Sequence, residues 1–173
     1  EILEAAYANN AADIDAIKAL PSGDITLGEK ITENVGKIGE KLDITSYERL
    51  TADQVVPYIH AGSKLGVLVG LSNTNGADVV EAGKDVAMQI AAMNPIAVDK
   101  DGVDASLVEK EIEIGKEQAR AEGKPEQMLE KIAMGKLNKY YKENTLLAQA
   151  FVKDNSVNIS QYLDGVSKGL TVA

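Results

Sequence analysis

Residues 55–71, VVPYIHAGSKLGVLVGL, decide how this chain is read. Two runs rich in Val, Ile, Leu and Tyr, at 55–60 and 65–71, flank a four-residue link, Ala61-Gly62-Ser63-Lys64. β-Branched and aromatic side chains fit a pleated, half-buried surface, and a short Gly-containing link between such runs predicts a β-hairpin. Val67, Leu68 and Val69 are consecutive and apolar, which predicts a strand covered on both faces. His60, the chain's one histidine, falls at the turn end of the first strand. The hairpin is therefore expected to be both the core of a domain and the edge of a functional surface.

Downstream, Ser72-Asn73-Thr74-Asn75-Gly76 is a turn cluster, and residues 77–94 read as a helix ended by Pro95. Its apolar stripe (Val79, Val86, Ile90, Met93, flanked by Val80, Ala87 and Ala91) is wide enough to pack on a sheet. After a polar link at 99–104, Ser106-x-x-Glu109 has the capping-box pattern and opens a helix to about Glu122. Gly123-Lys124-Pro125 stops it and starts another, running to about Tyr141. Helices of that length joined by so short a turn must lie antiparallel. Their thin apolar seam and many charges predict a projecting arm. Residues 145–153 read as extended, Asn158-x-x-Gln161 caps a last short helix, and 169–173 begin a strand.

Upstream, residues 1–9 and the Ile14, Ile17, Leu20 spacing predict two short helices, with a turn at Pro21-Ser22-Gly23-Asp24. Thr26-x-x-Glu29 caps a third helix carrying Leu27, Ile31, Val35 and Ile38, with Gly36 and Gly39 bracketing its exit. Partial alternation across 41–50 predicts a strand.

Composition narrows the function classes. With 173 residues, 45% hydrophobic and 26% charged, the chain can bury a real core. A formal net charge of −9 opposes the basic surface that a phosphate-tracking nucleic-acid binder needs. No apolar run approaches the roughly 20 residues of a membrane span, and no signal peptide is visible in these residues. Zero cysteines and one histidine leave no thiolate metal site, cysteine nucleophile or histidine cluster. No metal, cofactor or catalytic constellation is expected, and a cytoplasmic location suits such a chain. Glu1 in place of an initiating Met suggests a fragment or a processed chain.

The block Tyr58-Ile59-His60-Ala61-Gly62-Ser63-Lys64-Leu65-Gly66-Val67-Leu68-Val69 resembles the Tyr-x-His-x-Gly-x-x-(Ile/Leu)-Gly-Val-Leu-Val block of bacterial translation elongation factor Ts. Further ordered blocks resemble the same family. They are Lys37-Ile38-Gly39-Glu40; residues 84–92 (KDVAMQIAA), with Gln89 where His is common; Gly123-Lys124-Pro125-Glu126 at the tip of an arm; residues 134–140 (MGKLNKY); and residues 146–152 (LLAQAFV), with Ala150 where the family has Pro. The resemblance implies a guanine-nucleotide exchange factor for elongation factor Tu, with no cofactor. It implies partner contacts at Ile38 and Gly39, at His60, and at Phe151, Val152 and Lys153. The family's Thr-Asp-Phe-Val motif, whose Asp-Phe pair wedges near the partner's magnesium site, has no counterpart here, since the one Phe is Phe151. By position Glu1 would begin just downstream of it. The expectation is a chain that docks but exchanges poorly.

Residue spacing alone gives duller readings. His60 could be a structural turn-end histidine, Ile38-Gly39 a plain helix C-terminus, and Phe151 a core anchor. The family resemblance decides for contact. Asn158-Ile159-Ser160 fits a glycosylation sequon by chance as a helix cap, and Gly62-Ser63-Lys64 lacks the rest of a phosphate loop. The fold expected is α+β: a small antiparallel sheet packed with helices, plus a protruding antiparallel helical hairpin at about 105–142. The expected division is 1–50, a remnant of a first subdomain, and 51–173, a second. The competing reading is a stand-alone interaction or self-assembly module, using the arm or the exposed strand at 42–50.

Overall fold

Capping residues set the order of the first unit, Glu1–Arg49, in a computed structural model that describes residues 1–62 and 64–173. Helix α1 (Ile2–Ala8) is followed by α2 (Ile14–Ala19), whose N-terminus Asp13 caps by accepting the Ala16 N–H at 2.8 Å. Of the predicted turn at 21–24 only Gly23 and Asp24 form the bend, between two two-residue strands, β1 (Pro21–Ser22) and β2 (Ile25–Thr26), paired antiparallel. Helix α3 (Leu27–Ile38) starts at the predicted capping box: the Glu29 N–H donates to Thr26 Oγ1 (3.2 Å), and the Thr26 N–H donates back to Glu29 Oε2 (2.8 Å). The helix runs through Gly36 and stops only at Gly39, whose φ of 75° is left-handed. Ala6, Ala11, Ile17 and Leu27 form the small core.

Thr26→Ala is expected to cost this unit about 1 kcal/mol, read as loss of helical signal at lower denaturant, with Thr26→Ser close to the parent. The two Thr26 bonds, first from its N–H and then from its hydroxyl, hold the Glu29 carboxyl below its usual pKa. A depressed folded pKa gives stability that is present above the unfolded value and lost as pH falls through the folded one. Glu29→Gln should therefore flatten part of the acid-side loss of helix.

No strand forms at 41–50 among the described residues, which corrects the sequence expectation. Ile44 and Tyr47 turn into the core, three residues apart, a spacing no extended strand puts on one face. Asp43 Oδ1 accepts the N–H of the adjacent Ile44 at 2.9 Å and pairs with Lys18 Nζ at 2.8 Å. Local bonds thus replace a ladder. Self-association through an exposed strand at 42–50 loses the strand it was drawn from.

In the second unit, Leu50–Ala173, the predicted hairpin is β3 (Gln54–Ile59) paired antiparallel with β4 (Gly66–Ser72) in the register Val56↔Val69. Ser63, in its link, lies outside the described residues. Helix α4 (Val80–Met93) packs across one face. It begins three residues later than expected because the Ala77 N–H closes a turn onto Thr74 O around Asn75 and Gly76, both at positive φ. The other face is covered at Gly70 by Leu50 and Ala52 but open at Leu68, which is 54% exposed. Cover on both faces was thus expected too broadly.

Helices α5 (Ala105–Ala121) and α6 (Glu126–Asn144) form the antiparallel pair. Asp104, not Ser106, caps α5: its carboxylate accepts the Ser106 N–H at 2.8 Å, and Asp is among the residues favoured at that position. Gly115 lets the helices touch, since a Cβ there would stand 3.1 Å from Ala133 Cα. Lys116 pairs with Glu130, and Arg120 with Glu126, along the exposed edge. Residues 145–153 are not uniformly extended. A 3₁₀ turn (Leu146–Ala148) precedes β5 (Ala150–Phe151), which pairs with β6 (Asp154–Asn158). Helix α7 (Ile159–Val166) starts at the Asn158–Gln161 capping box, and β7 (Thr171–Val172) joins β4 to give the order β3-β4-β7. Val69, Leu71, Val86, Leu146, Phe151, Ile159, Leu163 and Leu170 form the core, each such side chain stabilising by about 1.5–3 kcal/mol relative to exposure.

Candidate functional site

The densest polar construction around the sequence-predicted residues is the turn Phe151-Val152-Lys153-Asp154 between β5 and β6. Phe151 faces inward at 4% exposure and stacks on Tyr162 of α7, ring centroids 4.4 Å apart. Val152 faces outward and is 41% exposed. One side of α4 holds this turn. Gln89, fully buried, accepts the Val152 N–H on Oε1 at 2.9 Å and donates through Nε2 to Ala150 O at 3.1 Å. One turn earlier, Asp85 pairs with Lys153 Nζ at 2.5 Å and accepts the Tyr162 hydroxyl at 2.8 Å. Burial, and then the bond to Asp85, push the Tyr162 phenol well above its usual pKa, so it remains a donor through the neutral range. At the far end, Asp154 accepts the Ser156 hydroxyl (2.6 Å) and N–H (3.0 Å), bonds that hold its carboxyl below the usual range.

His60 sits just past the end of β3. Its N–H donates to Leu65 O at 2.9 Å, closing the hairpin, and its exposed ring meets the Tyr58 hydroxyl through Nδ1 at 3.0 Å. Ile38 and Gly39 belong to the first unit. Ile38 ends α3 at 57% exposure, and the Gly39 N–H donates to Val35 O at 2.9 Å. An apolar side chain is thus presented on a fixed helix end. Val152 and His60 expose their side chains beside hydrogen-bonded backbone N–H groups, Ile38 exposes its own on the last turn of α3, Gly39 presents backbone alone, and the exposed Lys153 is paired with Asp85. Phe151 is not exposed: it is an anchor, the reading that residue spacing alone gives it.

Asp85, Gln89 and Tyr162 were not picked out from the sequence. A usable signal was there, because Asp85 and Gln89 stand four apart on one face of α4, and a polar residue among buried apolar neighbours needs a partner. Among the described residues no three His, Asp or Glu side chains converge to hold a metal ion. Among the described residues no helix is long and apolar enough to cross a membrane. A cavity of about 480 Å³ opens beside the end of α6, lined in part by Lys100, Tyr141, Lys142 and Ser160, and none of the six predicted residues lines it. Each unit by itself presents exposed side chains, Ile38 in the first and His60, Val152 and Lys153 in the second, a form suited to contact with another protein.

A family model described as "Elongation factor TS" matches residues 1–173. Elongation factor Ts of Cytophaga hutchinsonii is 62% identical over 173 residues, covering 99% of this chain and 62% of that protein. The Amoebophilus asiaticus protein of the same name is 56% identical over 172 residues, with the same coverage. The Chlorobaculum tepidum one is 41% identical over 174 residues, covering 97% of the chain and 60% of the relative. The chain therefore spans 60–62% of the length of these relatives.

Proposed function

The chain belongs to the elongation factor Ts family, and on that premise we propose that it docks on elongation factor Tu and promotes release of guanine nucleotide during translation elongation in the cytoplasm. Such a factor forms and breaks no covalent bond. It binds the nucleotide-free GTPase better than the loaded one, and linkage then requires it to weaken nucleotide binding by the same factor. The observation that carries the reading is the family match along all 173 residues, joined to exposed Ile38 and Val152 on hydrogen-bonded supports. Ile38, Gly39, His60, Val152 and Lys153 are the proposed contacts, and Phe151 holds the last two in place. The 173 residues contain no Asp-Phe pair to act as a wedge. This stretch therefore docks weakly and accelerates release poorly.

The test is the release rate of a fluorescent GDP from elongation factor Tu, with and without excess chain. A parallel competition uses an intact elongation factor Ts. Competition with little acceleration is the expected result. Strong acceleration would overturn the part assigned to the wedge, and neither effect would remove the docking reading itself.

A further inference from the structure

We propose that Gln89 is the positioning residue of the Val152 turn, and that through Gln149 it ties this turn to the last turn of the arm helix α6. The docking part of this inference rests on the function proposed above; the positional part does not.

The β5–β6 ladder cannot set the turn by itself. It pairs only two residues of β5, with a register irregularity between Ala150 and Phe151, and a lone two-stranded hairpin is marginal in water. Within that hairpin Val152 lies in the turn, and its N–H goes instead to Gln89 Oε1. Three amides then stand in series. Gln149 Nε2 donates to Glu143 O at 3.0 Å, Gln89 Nε2 donates to Gln149 Oε1 at 3.2 Å, and the Val152 N–H donates to Gln89 Oε1 at 2.9 Å. Both glutamines are buried, and among the described residues no buried side-chain polar atom lacks a partner.

The direction of the series is fixed by chemistry. Glu143 O is one of the carbonyls that the end of α6 leaves without a helical donor, so Gln149 must turn its NH₂ towards it. That leaves Gln149 Oε1 as an acceptor, which requires the Gln89 NH₂. Gln89 Oε1 is then the acceptor left for Val152. Flipping either amide would set donor against donor at one end and oxygen against oxygen at the other, each in a buried site where an unmet polar group is costly. A single arrangement therefore links the arm's base to the exposed Val152 side chain.

Hydrogen exchange and competition binding on the full 173-residue chain test this. Gln89→Met keeps the side chain's length and removes every bond. Exchange at the Val152 amide should then speed up by about tenfold or more relative to Val69 in β4. Gln149→Met, one step back, should give a smaller increase at Val152 and serves if Gln89→Met does not fold. In competition for elongation factor Tu, Gln89→Met and Val152→Ala should each weaken binding, and the double variant should be no worse than the weaker single one. A loss that acted only through general stability would add instead. Unchanged Val152 exchange in both glutamine variants, or additive losses, overturns the proposal. Failure of the unaltered chain to compete would remove the docking function, while the exchange result would still decide whether Gln89 holds the turn.

Discussion

Gly83→Val is expected to cost the second unit about 3 kcal/mol, lowering its melting temperature by about 10 °C. A Cβ at Gly83 would lie 2.5 Å from Val56 Cγ2 and 2.8 Å from Val56 Cβ, closer than real contacts come. Val56 is buried on β3, opposite Val69 of β4, and a β-branched side chain has few rotamers in which to retreat. Glycine inside a helix is itself unfavourable by roughly 1 kcal/mol relative to alanine, so Gly83→Ala gains that much in propensity. The clash outweighs it, because α4 would have to lift off the sheet along its buried face. Combining Gly83→Ala with Val56→Ala should recover part of the loss, leaving only a small cavity's cost, and the two changes should be clearly non-additive. A Gly83→Val chain that melts with the parent would mean that α4 and β3 are not in contact here.

That glycine shows what a single sequence can and cannot reveal. The hairpin at 54–72 was legible because runs of β-branched and aromatic residues and a glycine link are local properties, and the caps at Thr26 and Asn158 were legible for the same reason. The strand expected at 41–50 failed because an apparent alternation of Leu42, Ile44 and Ser46 says nothing about which residues find a core. Ile44 and Tyr47 found one against α2 and α3, and Leu42 did not. The Ser106 capping box failed to a competitor two residues earlier, Asp104, which also caps. Of the docking residues, the exposed tips carried family motifs, and Asp85 and Gln89 lie in one too, but the motif did not say what they hold. Gln89 and Asp85 matter because of bonds made 60 to 77 residues away in the chain, and a polar pair on one helix face signals that partners exist without saying which they are.

Phe151→Ala is expected to be the other severe change, about 3–5 kcal/mol, because it deletes a ring that is buried and stacked. The Phe151–Tyr162 stack contributes about 0.5–1.5 kcal/mol beyond burial, and it holds the Tyr162 hydroxyl against Asp85. Without the ring, β5 loses its grip on α7, and the Lys153–Asp85 pair loses the tyrosine that fixes its carboxylate. Phe151→Leu keeps most of the buried volume and should cost far less. The comparison also separates anchor from contact. An anchor predicts that Phe151→Leu lowers the melting temperature somewhat while leaving competition for elongation factor Tu almost intact. Val152→Ala, on an exposed side chain, should do the reverse. If Phe151→Leu instead abolished competition at an unchanged melting temperature, Phe151 would be touching the partner, and the turn would have to open for docking.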